Sequence, residues 1–218
     1  MSKIIVFGGS GGLGKLVAPL LQEKYGNVLL LSSSDVDITN AHDVSDFFDK
    51  ADGFDVVINL SGFNYDSMLH KIFEKKDTID GINRVVDVNV RGTINILAGC
   101  LPAMRIKKEG RIILFSSVVA DNPLFGTGVY SGVKAFIEHI STACAKENAK
   151  HGVTCNAIQL GYFDGGMLHR IPSAVQGMIK ETVPMKRWGT IEELFSTINY
   201  IIDTPYLTGA VIPINGGI

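Results

Sequence analysis

Lys3-Ile-Ile-Val-Phe7-Gly8-Gly-Ser-Gly-Gly12-Leu-Gly14-Lys-Leu-Val17 is the stretch that decides the fold. An apolar run of strand length meets a cluster of glycines and passes into Leu13, Leu16, Val17, Leu20 and Leu21, which share one helical stripe. A buried strand therefore turns sharply into a helix. Glycine lets the backbone take a positive φ, and the first amides of the helix face the turn with the positive end of the dipole. A strand, turn and helix of this kind suit a pyrophosphate.

Working outward, short apolar runs alternate with amphipathic stretches to the end of the chain, the pattern of parallel strands buried under helices. Strands are expected at 3–7, 27–31, 56–60, 111–115, 154–160 and 211–214. Helical stripes run through Ile82, Val85, Val86, Thr93 and Leu97, and through Val133, Phe136, Ile137 and Ile140. The predicted class is α/β, a Rossmann-like doubly wound parallel sheet ordered 2-1-3-4-5-6. One interval breaks the rhythm, because only a few residues separate Leu31 from Asp35-Val-Asp37-Ile38 and a parallel crossover needs about a dozen. The crossover after the second strand is therefore shortened or missing, and Asp35 to Ile38 make at most a short edge piece.

A chain of 218 residues buries one sizeable core and leaves no comfortable room for a second, so one domain over residues 1–218 is expected. The formal net charge of -2 argues against a nucleic-acid partner. Cys100, Cys144 and Cys155 lack CxxC spacing and read as reduced core thiols. His42, His70, His139, His151 and His169 show no metal-site spacing, so no metal is expected. The N-terminal apolar run is too short for a signal peptide or a membrane span, which predicts a cytoplasmic protein without a membrane partner.

Four further segments carry chemistry. Asp55-Val-Val-Ile-Asn59-Leu-Ser61-Gly62 ends the third strand. Asn89, in Asn89-Val90-Arg91-Gly92, directs an amide inward from a helical stripe, and a buried amide needs partners. Ser116-Ser117 closes a strand, and Tyr130-Ser-Gly-Val-Lys134 follows with its tyrosine and lysine one helical turn apart. Leu160-Gly161-Tyr-Phe163 ends the fifth strand. Together with the spacing of Gly8, Gly12 and Gly14, these segments resemble the TGxxxGxG, NNAG, Asn, Ser-Tyr-Lys and PG-loop motifs of the short-chain dehydrogenase/reductase family. The resemblance covers nearly the whole chain, with Phe7 in place of the threonine, Leu160 in place of the proline and Gly165 in place of a threonine beyond it.

The resemblance implies a catalytic tetrad of Asn89, Ser117, Tyr130 and Lys134. It implies cofactor contacts from Gly8, Ser10, Gly11, Gly12, Leu13 and Gly14 in the turn and from Ser32, Ser33, Asp37 and Ile38 after the second strand. Asn59, Ser61 and Gly62, then Tyr130 and Lys134, and finally Gly161 and Phe163 complete that set. Hydride transfer between a nicotinamide cofactor and a ketone or secondary alcohol is the implied reaction, with 3-oxoacyl thioesters suggested by Pro184, Arg187, Gly189 and Glu193. A homo-oligomer, dimer or tetramer, is implied through 91–103 and 135–149.

Tyrosine ionises near pH 10, and a neighbouring ammonium favours its phenolate, which gives Lys134 a reason to stand beside Tyr130. The second strand ends in Leu31-Ser32-Ser33-Ser34 with no carboxylate before Asp35, which favours NADP over NAD. Tyr162, Met167, Leu168, Ile171 and Met178 suggest an apolar substrate pocket. The alternative is a catalytically silent nucleotide sensor or scaffold on the same fold. A sugar-nucleotide epimerase would ordinarily need a substrate domain for which the chain has no length.

Overall fold

Every residue of β1 (Ile4–Phe7) is buried, as a strand covered on both faces must be. In the computed structural model, which describes residues 3–165, 168 and 172–218, it lies in a sheet with β2 (Val28–Leu31), β3 (Val56–Asn59), β4 (Gly110–Ser117), β5 (Val153–Leu160) and β6 (Val211–Ile214). All pairings are parallel, and the order β2-β1-β3-β4-β5-β6 is the one expected from the sequence.

Alternation along each strand divides the interior into two cores. Ile5, Phe7, Val57, Ile112 and Leu114 face one side, against α2 (Ala41–Lys50), α4 (Gly92–Lys107) and α5 (Gly128–Asn148). Ile4, Val6, Ile58, Ile113 and Ile158 face the other, against α1 (Gly12–Tyr25) and α7 (Ile191–Asp203). The stripe from Ile82 belongs to α3 (Lys76–Val86), and α6 (Ser173–Thr182) follows β5. Cys100, Cys144 and Cys155 are buried free thiols in the first core. No helix among the described residues is long and apolar enough to cross a membrane.

The interval after Leu31 holds neither a helix before Asp37 nor a strand at 35–38. Instead the Ser32 carbonyl accepts from the amides of Asp35 and Val36, turning the chain over the end of the sheet, where Val36 and Ile38 are buried. Asn95 Nδ2 donates to the Ile38 carbonyl and pins the segment to α4. The crossover to β3 is then made by α2, which the strand-by-strand reading of the sequence did not identify. Its signals were Asn40, whose side chain accepts from the His42 amide as an N-cap, and Val44, Phe47, Phe48 and Ala51 at helical spacing. This single crossover leaves β2 at the edge of the sheet.

Phe48 anchors α2, with its ring centroid 5.8 Å from that of Phe7 and 5.2 Å from those of Phe47 and Phe54. Phe48→Ala should therefore cost about 3–5 kcal/mol of stability, read as a lower urea midpoint. A loss below about 1 kcal/mol would show that α2 does not depend on this ring.

Candidate active site

The carboxyl ends of β1, β3, β4 and β5 open on one edge of the sheet, and loops there bring together residues distant in sequence. The β1 turn is tight. Gly8 has φ +77°, and a Cβ there would stand 2.6 Å from the Ser61 amide nitrogen. A Cβ at Gly14 would run into the Gly8 carbonyl oxygen. The Gly8 and Gly9 amides donate to the Leu31 carbonyl, so the turn is tied to β2. Gly11 caps α1 without a side-chain hydrogen bond, and no acid sits in the first turn, which leaves the helix dipole free to meet an anion.

Asn89 sits in a π-helical turn, Asp87–Arg91, between α3 and α4. The Gly92 amide reaches back to the Asp87 carbonyl, and the Val85 carbonyl accepts from the Asn89 side chain. Asn89 Nδ2 donates to the carbonyls of Val85 at 2.8 Å and Phe63 at 2.7 Å, while Oδ1 is buried with no protein partner. Thr93 Oγ1 donates to the Asn89 carbonyl and accepts from Asn59 Nδ2, whose Oδ1 accepts from the Ser61 amide. Thr93, invisible as a functional residue in the sequence, thus joins the π turn to the end of β3.

Tyr130 and Lys134 lie in the first two turns of α5, and both are buried. Lys134 Nζ donates to the Phe115 carbonyl at 2.9 Å, and Ser116 Oγ donates to the Lys134 carbonyl at 3.0 Å. The ammonium lies 5.5 Å from the Tyr130 ring centroid. A Cβ on Gly62 would touch both Asn89 Oδ1 and Lys134 Nζ, so the loop after β3 faces both of these side chains. Ser117 Oγ at the end of β4 accepts from the Val119 amide.

Burial pulls the Lys134 ammonium down to about 8, and burial together with the Asp66 carboxylate pushes the Tyr130 phenol up to about 12. The expected promotion of the phenolate is therefore not the dominant effect here. Tyr130 is held in its acid form, and Asp66, which the sequence did not single out, contributes to that.

Other expected contacts are placed unevenly. Phe163 is buried in the second core, so only its backbone can meet a ligand, and Gly189 packs on its ring. Ile38 likewise turns inward, against Gly92, while Asp37 Oδ1 accepts from the Thr39 amide and hydroxyl. Gly161 N donates to the Ile214 carbonyl, close against Asn215. Ser32 gives its amide and hydroxyl hydrogens to Asp35. Gly165 has φ +133°, which a threonine would rarely adopt, and Leu16 of α1 reaches to it. Of the expected pocket lining, Leu168 is buried and Met178 exposed, whereas Met167 and Ile171 lie outside the described residues, as does His169. Arg187 and Glu193 form a bidentate pair beside a cavity of about 420 Å³ that lies behind the 161–163 loop rather than at the tetrad.

The close glycine cradle fits a bound dinucleotide, with backbone amides for its phosphates, and the orphaned Asn89 Oδ1 leaves an acceptor for a ligand or water beside Lys134. The profile of the family described as Enoyl-(Acyl carrier protein) reductase matches residues 10–218. The chain is 30% identical over 222 residues to the 3-oxoacyl-[acyl-carrier-protein] reductase FabG of Aquifex aeolicus, covering 99% of this chain and 87% of that protein. It is 30% identical over 181 residues to an acetoacetyl-CoA reductase of Allochromatium vinosum, covering 82% of this chain and 72% of that one. A solved structure of ElxO with NADP bound has a TM-score of 0.84 at 23% identity, covers 100% of this chain and 98% of that chain, and shows the shared fold.

Proposed function

The chain belongs to the short-chain dehydrogenase/reductase family of NAD(P)-dependent oxidoreductases, and from that premise we propose that it moves a hydride between NADP and the carbonyl carbon of a ketone, a 3-oxoacyl thioester being the favoured substrate. The observation that carries this reading is the convergence of Asn89, Lys134 and the Gly62 backbone next to a protonated, buried Tyr130. The thioester follows the reductases it resembles, which are named for 3-oxoacyl carrier-protein and acetoacetyl-CoA substrates.

When bound, the reduced cofactor supplies the hydride. Its phosphates would be held by the Gly8 to Gly14 turn and the start of α1, and its nicotinamide end by the Gly161 and Phe163 backbone. As negative charge develops on the substrate oxygen, Tyr130 Oη gives it a proton and Ser117 Oγ holds it by a hydrogen bond. Lys134, its ammonium steadied by the Phe115 carbonyl, stabilises the resulting phenolate, gives back the proton that restores the Tyr130 phenol, and would hold the cofactor ribose. Asn89 Oδ1 faces the same space and accepts a hydrogen bond from water on the way to reprotonating Lys134. The hydrogen bonds from Asn89 Nδ2 to Val85 and Phe63 keep that oxygen aimed inward. We also propose that residues 1–218 act as one domain, in the cytoplasm.

Three outcomes test this reading. Tyr130→Phe removes the transferable proton and keeps the ring, so turnover should fall by at least about a thousandfold while cofactor binding persists. Near-normal turnover would remove Tyr130 from the proton transfer, and wild-type protein that binds cofactor but turns over no carbonyl substrate would favour the silent sensor instead. Because Lys134 loses its proton as pH rises through about 8, well below an ordinary lysine, kcat/KM for NADPH should fall above that pH. A profile flat to pH 10 would remove its ammonium from the mechanism. Finally, Ile94 is exposed on α4 at the implied subunit contact, and sedimentation should find a dimer or tetramer. A monomer at all concentrations would contradict that assembly.

A further inference from the structure

Residues 63–67, which follow β3, are fastened beside Tyr130 at three points. The Phe63 carbonyl accepts from Asn89 Nδ2 at 2.7 Å, and the Phe63 and Tyr65 rings pack in one apolar cluster with Tyr130, Val85 and Val119. Tyr65 also lies against Gly81 of α3. The Ser67 amide donates at 2.9 Å to the carbonyl of Gly126, four residues before Tyr130, and a Cβ on Gly126 would meet the Asp66 side chain at 3.8 Å. Two side chains of this strap have no task in the proton transfer. Asn64 Oδ1 is buried and has no partner among the described residues. Asp66 is exposed, forms no ion pair among the described residues, and its charge reaches the Tyr130 phenol. The cations of neighbouring elements are engaged elsewhere: Lys134 by the Phe115 carbonyl, Arg84 over the Phe63 ring at 4.6 Å from its centroid, and Arg91 by Asp87.

On the reductase reading above, we propose that Asn64 and Asp66 form an acceptor-only subsite beside the reacting carbonyl, which admits a neutral 3-oxoacyl thioester and turns away the free 3-oxo acid. The two substrates differ at carbon 1, two bonds from the carbonyl carbon that takes the hydride. In the thioester that carbon bears an uncharged group. In the free acid it bears a carboxylate, and two bonds are too short a reach for it to leave the neighbourhood of Tyr130. There it meets the like charge of Asp66 and an amide oxygen that can accept a hydrogen bond but not give one. A neutral substrate meets no such repulsion, and any N–H or O–H it carries finds an acceptor in Asn64 Oδ1. Partial desolvation lifts the Asp66 carboxyl above the usual carboxylate range and the Asn64 side chain opposes this, so near pH 8, about four units above an ordinary aspartate, it is charged. Its exposure to water keeps the discrimination modest.

Steady-state kinetics of the full chain with NADPH near pH 8, on acetoacetyl-N-acetylcysteamine and on acetoacetate, test the proposal. Wild-type protein should favour the thioester. Asp66→Asn keeps the shape and removes the charge, so the ratio of the two kcat/KM values should move toward acetoacetate by roughly fivefold, chiefly through a lower KM for the acid. Any change in the acidity of Tyr130 falls on both substrates alike and cancels in that ratio. Asp66→Glu, which keeps the charge, should stay near the wild-type ratio. A shift under about twofold in Asp66→Asn, with folding confirmed by circular dichroism, would overturn the proposal, as would wild-type protein that prefers acetoacetate. If Asp66→Asn does not fold, Asp66→Ser is held to the same criterion. Wild-type protein that reduces neither compound would instead overturn the reductase reading on which the proposal rests.

Discussion

The site is organised around the burial of one charge, the Lys134 ammonium. An ammonium removed from water needs an acceptor, and here the last carbonyls of β4 supply it through Phe115. Ser116 returns a hydrogen bond from the same strand to the Lys134 backbone, so α5 and β4 are locked in relative position at the point where the chemistry is expected. Tyr130, one turn earlier on α5, inherits that position. The same burial that makes the lysine costly lowers its proton affinity and raises that of the tyrosine.

Opposite α5, the π turn does comparable work with backbone geometry. A regular helix through 87–91 would commit the Val85 carbonyl to the Asn89 amide. In the wider turn that carbonyl accepts from the Asn89 side chain, and Thr93 and Asn59 tie the turn to the end of β3. An oxygen without a protein partner is left facing the loop at Gly62. Such an orphan is expensive in a core and reasonable only in a place where a ligand or water can meet it.

The shortened crossover has its own consequence. With one helix between β2 and β3, β2 lies at the sheet edge, and the chain leaving it bends at once around Ser32. That bend places Asp35 and Lys15 on one cavity beside the glycine turn.

The sheet and the glycine turn, and the helical spacing of Tyr130 and Lys134, were legible in the chain because they rest on local pattern: apolar runs, glycine spacing, and residues one helical turn apart. All six strands and their order follow from such signals. What escaped was α2, although Val44, Phe47, Phe48 and Ala51 carry its helical spacing, and Thr93 and Asp66, whose importance comes from distant neighbours. The amino-acid sequence by itself determined the α/β class, the strand–glycine–helix turn and which side chains are candidates for the chemistry. Only the tertiary structure decided their states: that Tyr130 is held protonated, that Lys134 is bound to a strand carbonyl, and that Ser32 is already spoken for by Asp35. The reason is that burial, and with it the strength of a charge or the freedom of a donor, is a property of the packing around a residue and not of its neighbours in the chain.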